Sequence, residues 1–345
     1  MRHFIIYVKR LHKKDLKNIT QRMYFWKIGK GFGVNNKRIL IIGGTGALGK
    51  ALIKRYHYLN KIIVFSRDEH KHVDLLKKYS TLESHLGDIR DKDSIRNCFD
   101  RFKPNIVINT AALKHVPICE SNSIESVKTN ILGHQNVIES IREFNEIETL
   151  IFISTDKACK PINIYGMCKA ISEKLYSNYA QTETKTKVVT VRYGNVLEST
   201  GSVIPYFKQL LRKDKESLPV THQDMTRFLI TLDDAVDLID WTYNHKFSHG
   251  KIAVPKIKSM RIIDLAKCLI KRYKKDTNIR IVGIRPGEKL HEEMISEEEW
   301  FRTEEYENYL INNHNVNSDI WSYSSKDSLM SEEESYKFLQ DSGVI

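Results

Sequence analysis

No apolar run in this 345-residue chain approaches the ~20 residues that cross a bilayer, so no helical membrane span is expected. Residues 4–8, FIIYV, are too short for a signal-peptide core, and no small-residue cleavage site follows them. Cysteine is scarce: five residues (98, 119, 159, 168, 268), odd in number, scattered, and without a Cys-x-x-Cys pair. That pattern argues against a disulfide framework or a bound metal and for a reducing, cytoplasmic setting. Cys159 and Cys168 read as small buried hydrophobes. Internal repeats are missing as well. Acidic residues are nearly absent from residues 1–37, which carry ten Lys/Arg against Asp15 alone. The net charge of +12 therefore resides mostly there, leaving +3 for residues 38–345, and the body carries no nucleic-acid signature. The basic extension, with Tyr24, Phe25 and Trp26, is read as a docking or oligomer contact. Peripheral contact with an anionic membrane face is the alternative.

What is present is a regular alternation. Lys37–Ile42 reads as a first strand breaking into Gly43-Gly44-Thr45-Gly46-Ala47-Leu48-Gly49 and a helix to about Tyr58. Glycines at 43, 46 and 49 suit a tight turn, close backbone approach to a pyrophosphate, and tight helix packing. The helix N-terminus offers free N–H groups to that anion. A second strand, Lys61–Phe65, ends in Ser66-Arg67-Asp68. Arg67, where an acid would select a ribose hydroxyl, favours a 2′-phosphate and hence NADP. A third strand ends at Gly87-Asp88-Ile89, with Asp88 placed to meet an adenine. A fourth, Ile106–Ile108, leads to Thr110-Ala111-Ala112, small residues that let the chain pass a cofactor, and to Lys114 facing a substrate. Residues 122–144 read as one long amphipathic helix carrying Asn130, and Val188–Tyr193 as a sixth strand. The expectation is an α/β fold with a doubly wound parallel sheet.

The fifth strand carries the chemistry. Leu150–Ile153 ends in Ser154-Thr155-Asp156-Lys157, and a helix opening near Asn163 places Tyr165 and Lys169 one turn apart on one face. A Lys169 ammonium beside Tyr165 would favour the phenolate, and a desolvated Lys157 near Lys169 would become an amine base.

After residue 200 the elements shorten. Residues 38–200 are read as the cofactor domain, drawing also on segments from about 225–260, and 201–345 mainly as a smaller α/β substrate-binding region with a tail. Arg227 and Arg285 suit a diphosphate. Residues 292–308, Glu-rich, read as a solvated helix face, and the tail from 311 as extended segments that wrap the body.

The glycine loop, Ser66-Arg67-Asp68, Ala111–Pro117, Ser154–Lys157, Tyr165-x-x-x-Lys169, Arg192–Asn195, Asp224–Phe228 and Arg285–Lys289 together resemble the extended short-chain dehydrogenase/reductase family. Within it they are similar to the UDP-N-acetylglucosamine 4,6-dehydratases of surface-glycan synthesis, over about residues 38–310. The resemblance implies a Rossmann fold with NADP on Gly43, Thr45, Gly46, Ala47, Leu48, Gly49, Ser66, Arg67, Asp68, Asp88, Ile89, Thr110, Ala111, Ala112, Tyr165 and Lys169. It implies Tyr165 as the base on the C4 hydroxyl, Thr155 bonded to that oxygen, Lys169 on the nicotinamide ribose, Lys157 as the C5 base, and Asp156 as the acid that expels the C6 hydroxyl. Lys114, Asn195, Arg227, Arg285 and Glu288 would contact the UDP-sugar. Tyrosine at 165 resembles members that invert C5, where several relatives carry methionine. Homo-oligomers, dimers or hexamers, are usual in this group. Cys159-Lys160 and Cys168 depart from its pattern. The alternatives are a C5-retaining dehydratase, a UDP-hexosamine 4-epimerase or 4-reductase, and a non-catalytic NADP-sensing scaffold.

Overall fold

Among the described residues, runs of four to six branched or aromatic side chains closed by a polar turn recur along the first half of the chain and form most of its strands. The computed structural model describes residues 34–182, 184–199, 201–312 and 317–345. The expected role of the basic extension falls on residues 1–33, outside the described residues. Residues Asn36–Ile345 form one compact unit.

Strands β1 (Arg38–Ile42), β2 (Lys61–Ser66), β3 (Glu83–Leu86), β4 (Ile106–Asn109), β5 (Thr149–Ile153) and β6 (Lys187–Val191) lie in the order β3-β2-β1-β4-β5-β6, all parallel. This is the doubly wound sheet, whose order reverses between β1 and β4, the place where ligands of such folds sit. Ile252–Pro255 extends the sheet in parallel, and Tyr309–Asn312 and Thr303–Glu305 complete nine strands with antiparallel pairings. Ile39, Ile41, Val107, Leu150, Phe152 and Val189 are wholly covered. Helices on both faces explain why these strands are apolar along their length rather than alternating.

A second apolar cluster gathers Leu211, Leu218, Leu265, Leu269 and Leu339 from helices Val203–Arg212, Ile262–Tyr273 and Glu332–Asp341 and from short strands. Among the described residues no helix is long and apolar enough to cross a membrane.

Three expectations need correction. The segment 122–144 is not one regular helix: a π-helical turn, Lys128–Leu132, interrupts it. That turn seats Asn130, whose side chain takes the N–H of Leu113 at 2.8 Å and donates to its carbonyl at 2.7 Å. The Glu-rich stretch 292–308 is no solvated helix face. Glu293–Ile295 is a strand paired with Tyr323–Ser324, and Ser296 and Glu299 form a capping box over a single turn, Glu297–Trp300. The tail does not end as a wrapping strand but in the helix Glu332–Asp341. Its own capping box is Ser331 with Glu334, and Leu339 anchors it in the second cluster.

Candidate active site

Beyond β5 the chain is pinned to the end of β6: Ser154 N–H donates to the Val191 carbonyl at 2.7 Å, and Asp156 N–H to that of Tyr193 at 3.0 Å. The Ser154 hydroxyl donates to Glu173 at 2.6 Å. One tight turn, Asp156–Ala158, follows, and then the helix Ile164–Ala180, which Asn163 caps by accepting from Gly166 N–H at 2.8 Å. Asn163 also donates to the Gly287 carbonyl at 2.8 Å, tying the helix start to the loop that bears Arg285 and Glu288. Sequence reasoning missed Gly166. A Cβ there would collide with the Lys157 carbonyl, so glycine is what lets Tyr165 close on Lys157.

A cleft of about 1460 Å³ opens over the carboxyl ends of these strands. It is lined by Gly43, Thr45, Gly46, Ala47, Leu48 and Gly49; by Ser66, Arg67, Asp68 and Ile89; and by Thr110, Ala111, Ala112 and Lys114. Thr155, Lys157, Tyr165, Lys169, Asn195, Arg227, Arg285 and Glu288 line it too. Asp88 and Asp156 do not. Asp88 binds Arg90 at 2.6 Å and lies 3.5 Å from Arg67, and Asp156 has no exposed surface.

Lys157 Nζ donates to Asp156 Oδ1 at 2.9 Å and to Asn195 Oδ1 at 3.2 Å, and lies 3.6 Å from Glu292 Oε1. Asp156 Oδ1 also accepts from the Thr155 hydroxyl at 2.9 Å, while Oδ2 has no partner. Burial pulls the Lys157 ammonium down, but Asp156 and Glu292 together outweigh it and hold its pKa above the ordinary lysine value. The expected amine base is thus an ammonium in the resting protein. Burial raises Tyr165 to about 12 against the opposing charge of Lys157. The cation that acts most strongly on the phenol is Lys157. Burial lowers Lys169 to about 7, and its Nζ donates to the Ile153 carbonyl at 2.7 Å. Partial desolvation also lowers Lys114.

The other end of the cleft suits a diphosphate. Gly43 has φ +79°, and a Cβ on it would lie 2.8 Å from Ala111 N and Thr110 Oγ1. Gly46, at the N-cap of the helix Ala47–Tyr56, supplies no side-chain cap, and a Cβ on it would meet only the Gly43 carbonyl, at 3.3 Å. Open space therefore faces uncapped N–H groups. Ser66 Oγ is held by Thr45 Oγ1 at 3.1 Å and His72 Nε2 at 2.8 Å. Arg227 is buried, donating to the Thr226 carbonyl at 2.7 Å and lying 3.8 Å from Glu292. Arg285 is exposed, 3.5 Å from Glu288. Among the described residues no cluster of His, Cys, Asp or Glu could hold a metal ion.

A family model described as polysaccharide biosynthesis protein matches residues 39–314. Over 282 residues, 80% of this chain and 82% of the relative, the sequence is 43% identical to a UDP-N-acetylglucosamine 4,6-dehydratase (inverting) of Campylobacter jejuni subsp. jejuni serotype O:2. It is 38% identical over 79% of its length to a protein of Rickettsia bellii named UDP-glucose 4-epimerase, covering 82% of that protein. The crystal structure of Pen from Bacillus thuringiensis superposes with a TM-score of 0.84 at 29% identity, covering 90% of this chain and 99% of that one.

Proposed function

Because the chain belongs to the family of polysaccharide biosynthesis proteins, we propose that it is a UDP-N-acetylglucosamine 4,6-dehydratase of the C5-inverting type. It would form UDP-2-acetamido-2,6-dideoxy-hexos-4-ulose for surface-glycan synthesis. The observation that carries this reading is the meeting of Lys157, Asp156 and Tyr165 at one end of a cleft whose other end suits a diphosphate. An epimerase needs the tyrosine but has no use for a base at C5.

The Gly43–Gly49 turn, Ser66, Arg67 and Thr110–Ala112 would hold a nicotinamide dinucleotide, with Ile89 toward the adenine, Asp88 held back by Arg90 and Arg67, and Lys169 on the nicotinamide ribose. When bound, that group takes up the C4 hydrogen with its electron pair and returns it to C6. Tyr165, at rest a phenol, first releases its own proton to solvent through the open cleft, helped by the Lys157 charge. As the phenolate it accepts the C4 hydroxyl proton, while Thr155 bonds the same oxygen. A shift of one proton from Lys157 Nζ to Asp156 across 2.9 Å turns the resting ion pair into an amine and a neutral acid. The amine takes the C5 proton, which the new C4 ketone has made acidic. Asp156 is enclosed, so its proton reaches the departing C6 hydroxyl by way of the Lys157 nitrogen, and once C6 is reduced C5 regains a proton, on the opposite face in an inverting enzyme. Lys114, Asn195, Arg227, Arg285 and Glu288 hold the UDP-sugar, and loop 285–288 reports to the catalytic helix through Asn163.

The dinucleotide is proposed to be NADP. Arg67→Asp should weaken NADP by roughly 10- to 100-fold, the worth of about 1.5–3 kcal/mol for hydrogen bonds to a charged group, and NAD far less. Titration with each nucleotide checks this, and equal losses would count against the 2′-phosphate contact. Five free cysteines suit the proposed cytoplasmic location. A second copy of the chain is the proposed partner, supported by the exposed apolar side chains Ile118, Ile124, Val127, Met167 and Ile171 on neighbouring helices.

Proton NMR of UDP-N-acetylglucosamine incubated with the protein tests the reaction. A new C6 methyl doublet is expected. A C4 epimer as the sole product would favour the activity named for the Rickettsia relative.

A further inference from the structure

Glu292 escaped the sequence reading, yet it is the least solvated carboxylate in the cleft wall, 2% exposed. Its main chain is held in place from one side: its N–H donates to Ser325 Oγ at 2.9 Å, and its carbonyl accepts from Ser325 N–H at 2.8 Å. Its Oε1 lies 3.6 Å from Lys157 Nζ and 3.8 Å from Arg227 Nε, and its Oε2 has no partner. A buried carboxylate oxygen left unpaired costs about 1–3 kcal/mol or more, so a merely structural glutamate would be expected to satisfy it.

We propose that Glu292 is a positioning residue for the proton-transfer pair, the second carboxylate that keeps Lys157 charged and aimed into the cleft. The geometry supports an electrostatic hold rather than a hydrogen-bonded tether. At 3.6 Å the contact is an ion pair without a good hydrogen bond, so Lys157 is bonded to Asp156 and Asn195 and only drawn toward Glu292. The charged and titratable groups around the pair are Asp156 from the same turn as Lys157, Tyr165 from the catalytic helix, Arg227 from the strand Thr226–Ile230, and His291 beside Glu292. Arg227 opposes Lys157, and Glu292 is the counter-charge shared by both. Neutralising Glu292 leaves Lys157 with one carboxylate and an uncompensated guanidinium. Both changes favour the amine.

The inference rests on the dehydratase reading only for its effect on rate. The ionisation of Lys157 can be measured without any reaction. Full-length protein and Glu292→Gln are trace-labelled with acetic anhydride across a pH series, and acetylation of Lys157 is read by peptide mass spectrometry. The midpoint for Lys157 should fall by about one to three pH units in Glu292→Gln, the range expected for one charge at this distance as the effective dielectric goes from about 80 to about 20. Glu292→Asp, which keeps the charge, should restore most of the shift. The acidic limb of the kcat–pH profile should move the same way with KM nearly unchanged. An unmoved Lys157 midpoint in a variant that melts like the parent overturns the proposal, and a raised KM alongside it would make Glu292 a substrate contact instead. Absent dehydration with a shifted midpoint would refute the function while leaving this inference standing.

Discussion

Lys157→Ala is expected to lower the rate of water loss by about 10²–10⁴-fold, the usual worth of a general acid–base group. Oxidation at C4 should be slowed less than water loss, because Tyr165 and Thr155 remain although Tyr165 loses the cation that favours its phenolate. Reduced nicotinamide should then accumulate in a single turnover, where the parent shows only a transient. The substitution also leaves Asp156, with no exposed surface, bonded only to Thr155 and the backbone. Melting curves must therefore accompany the kinetics. Turnover at the parent rate in a folded variant would place the C5 base elsewhere.

Arg192→Met should cost about 3–5 kcal/mol of stability, the penalty for removing one partner of a buried ion pair. Arg192 is 2% exposed at the end of β6. It grips Glu173 at 3.0 and 2.6 Å, Glu299 at 2.8 Å through each of two nitrogens, and the Met294 carbonyl at 2.7 Å. It thereby fastens the segment bearing Glu292 to the central sheet. Burial would raise Glu299, yet Arg192 prevails and holds it at about 2. A carboxylate depressed in the folded state stabilises above its ordinary pKa and loses that contribution as pH falls toward 2. Urea unfolding should show the parent losing stability below about pH 4.5 more steeply than the variant, which lacks the pair. Parallel acid limbs would mean that Glu299 is not coupled to Arg192 as described.

The inner strands of the parallel sheet were readable because each is a short apolar run, buried on both faces and closed by its own turn, whereas the edge strand Glu83–Leu86 showed only through the Gly87-Asp88 turn that ends it. The Thr155–Lys169 cluster was readable for a related reason: its members lie within one strand, one turn and one helix, so spacing alone brings them together. Glu292 was hidden because its neighbours in space are remote in the chain. Residues HEEMISEEEW carry too short an apolar pair, Met294-Ile295, to announce a strand, and the partner strand Tyr323–Ser324 lies some thirty residues on. The state of Lys157 was misjudged through the same gap. Its amine character was argued from Lys169, four residues beyond Tyr165, whereas the charges that govern it are Asp156 next door and Glu292 from a distant loop. The π-helical turn at Asn130 likewise answers to a tertiary contact, the grip on Leu113, that no local periodicity encodes.

The account stands on one cleft carrying out oxidation, elimination and reduction on a single sugar ring. Substrate deuterated at C4 and converted in ordinary water tests this most directly. A product whose C6 is a CH₂D group is the expected result, since the atom removed from C4 must return to C6, two bonds away. An unlabelled methyl group, or deuterium retained at an epimerised C4, would contradict it.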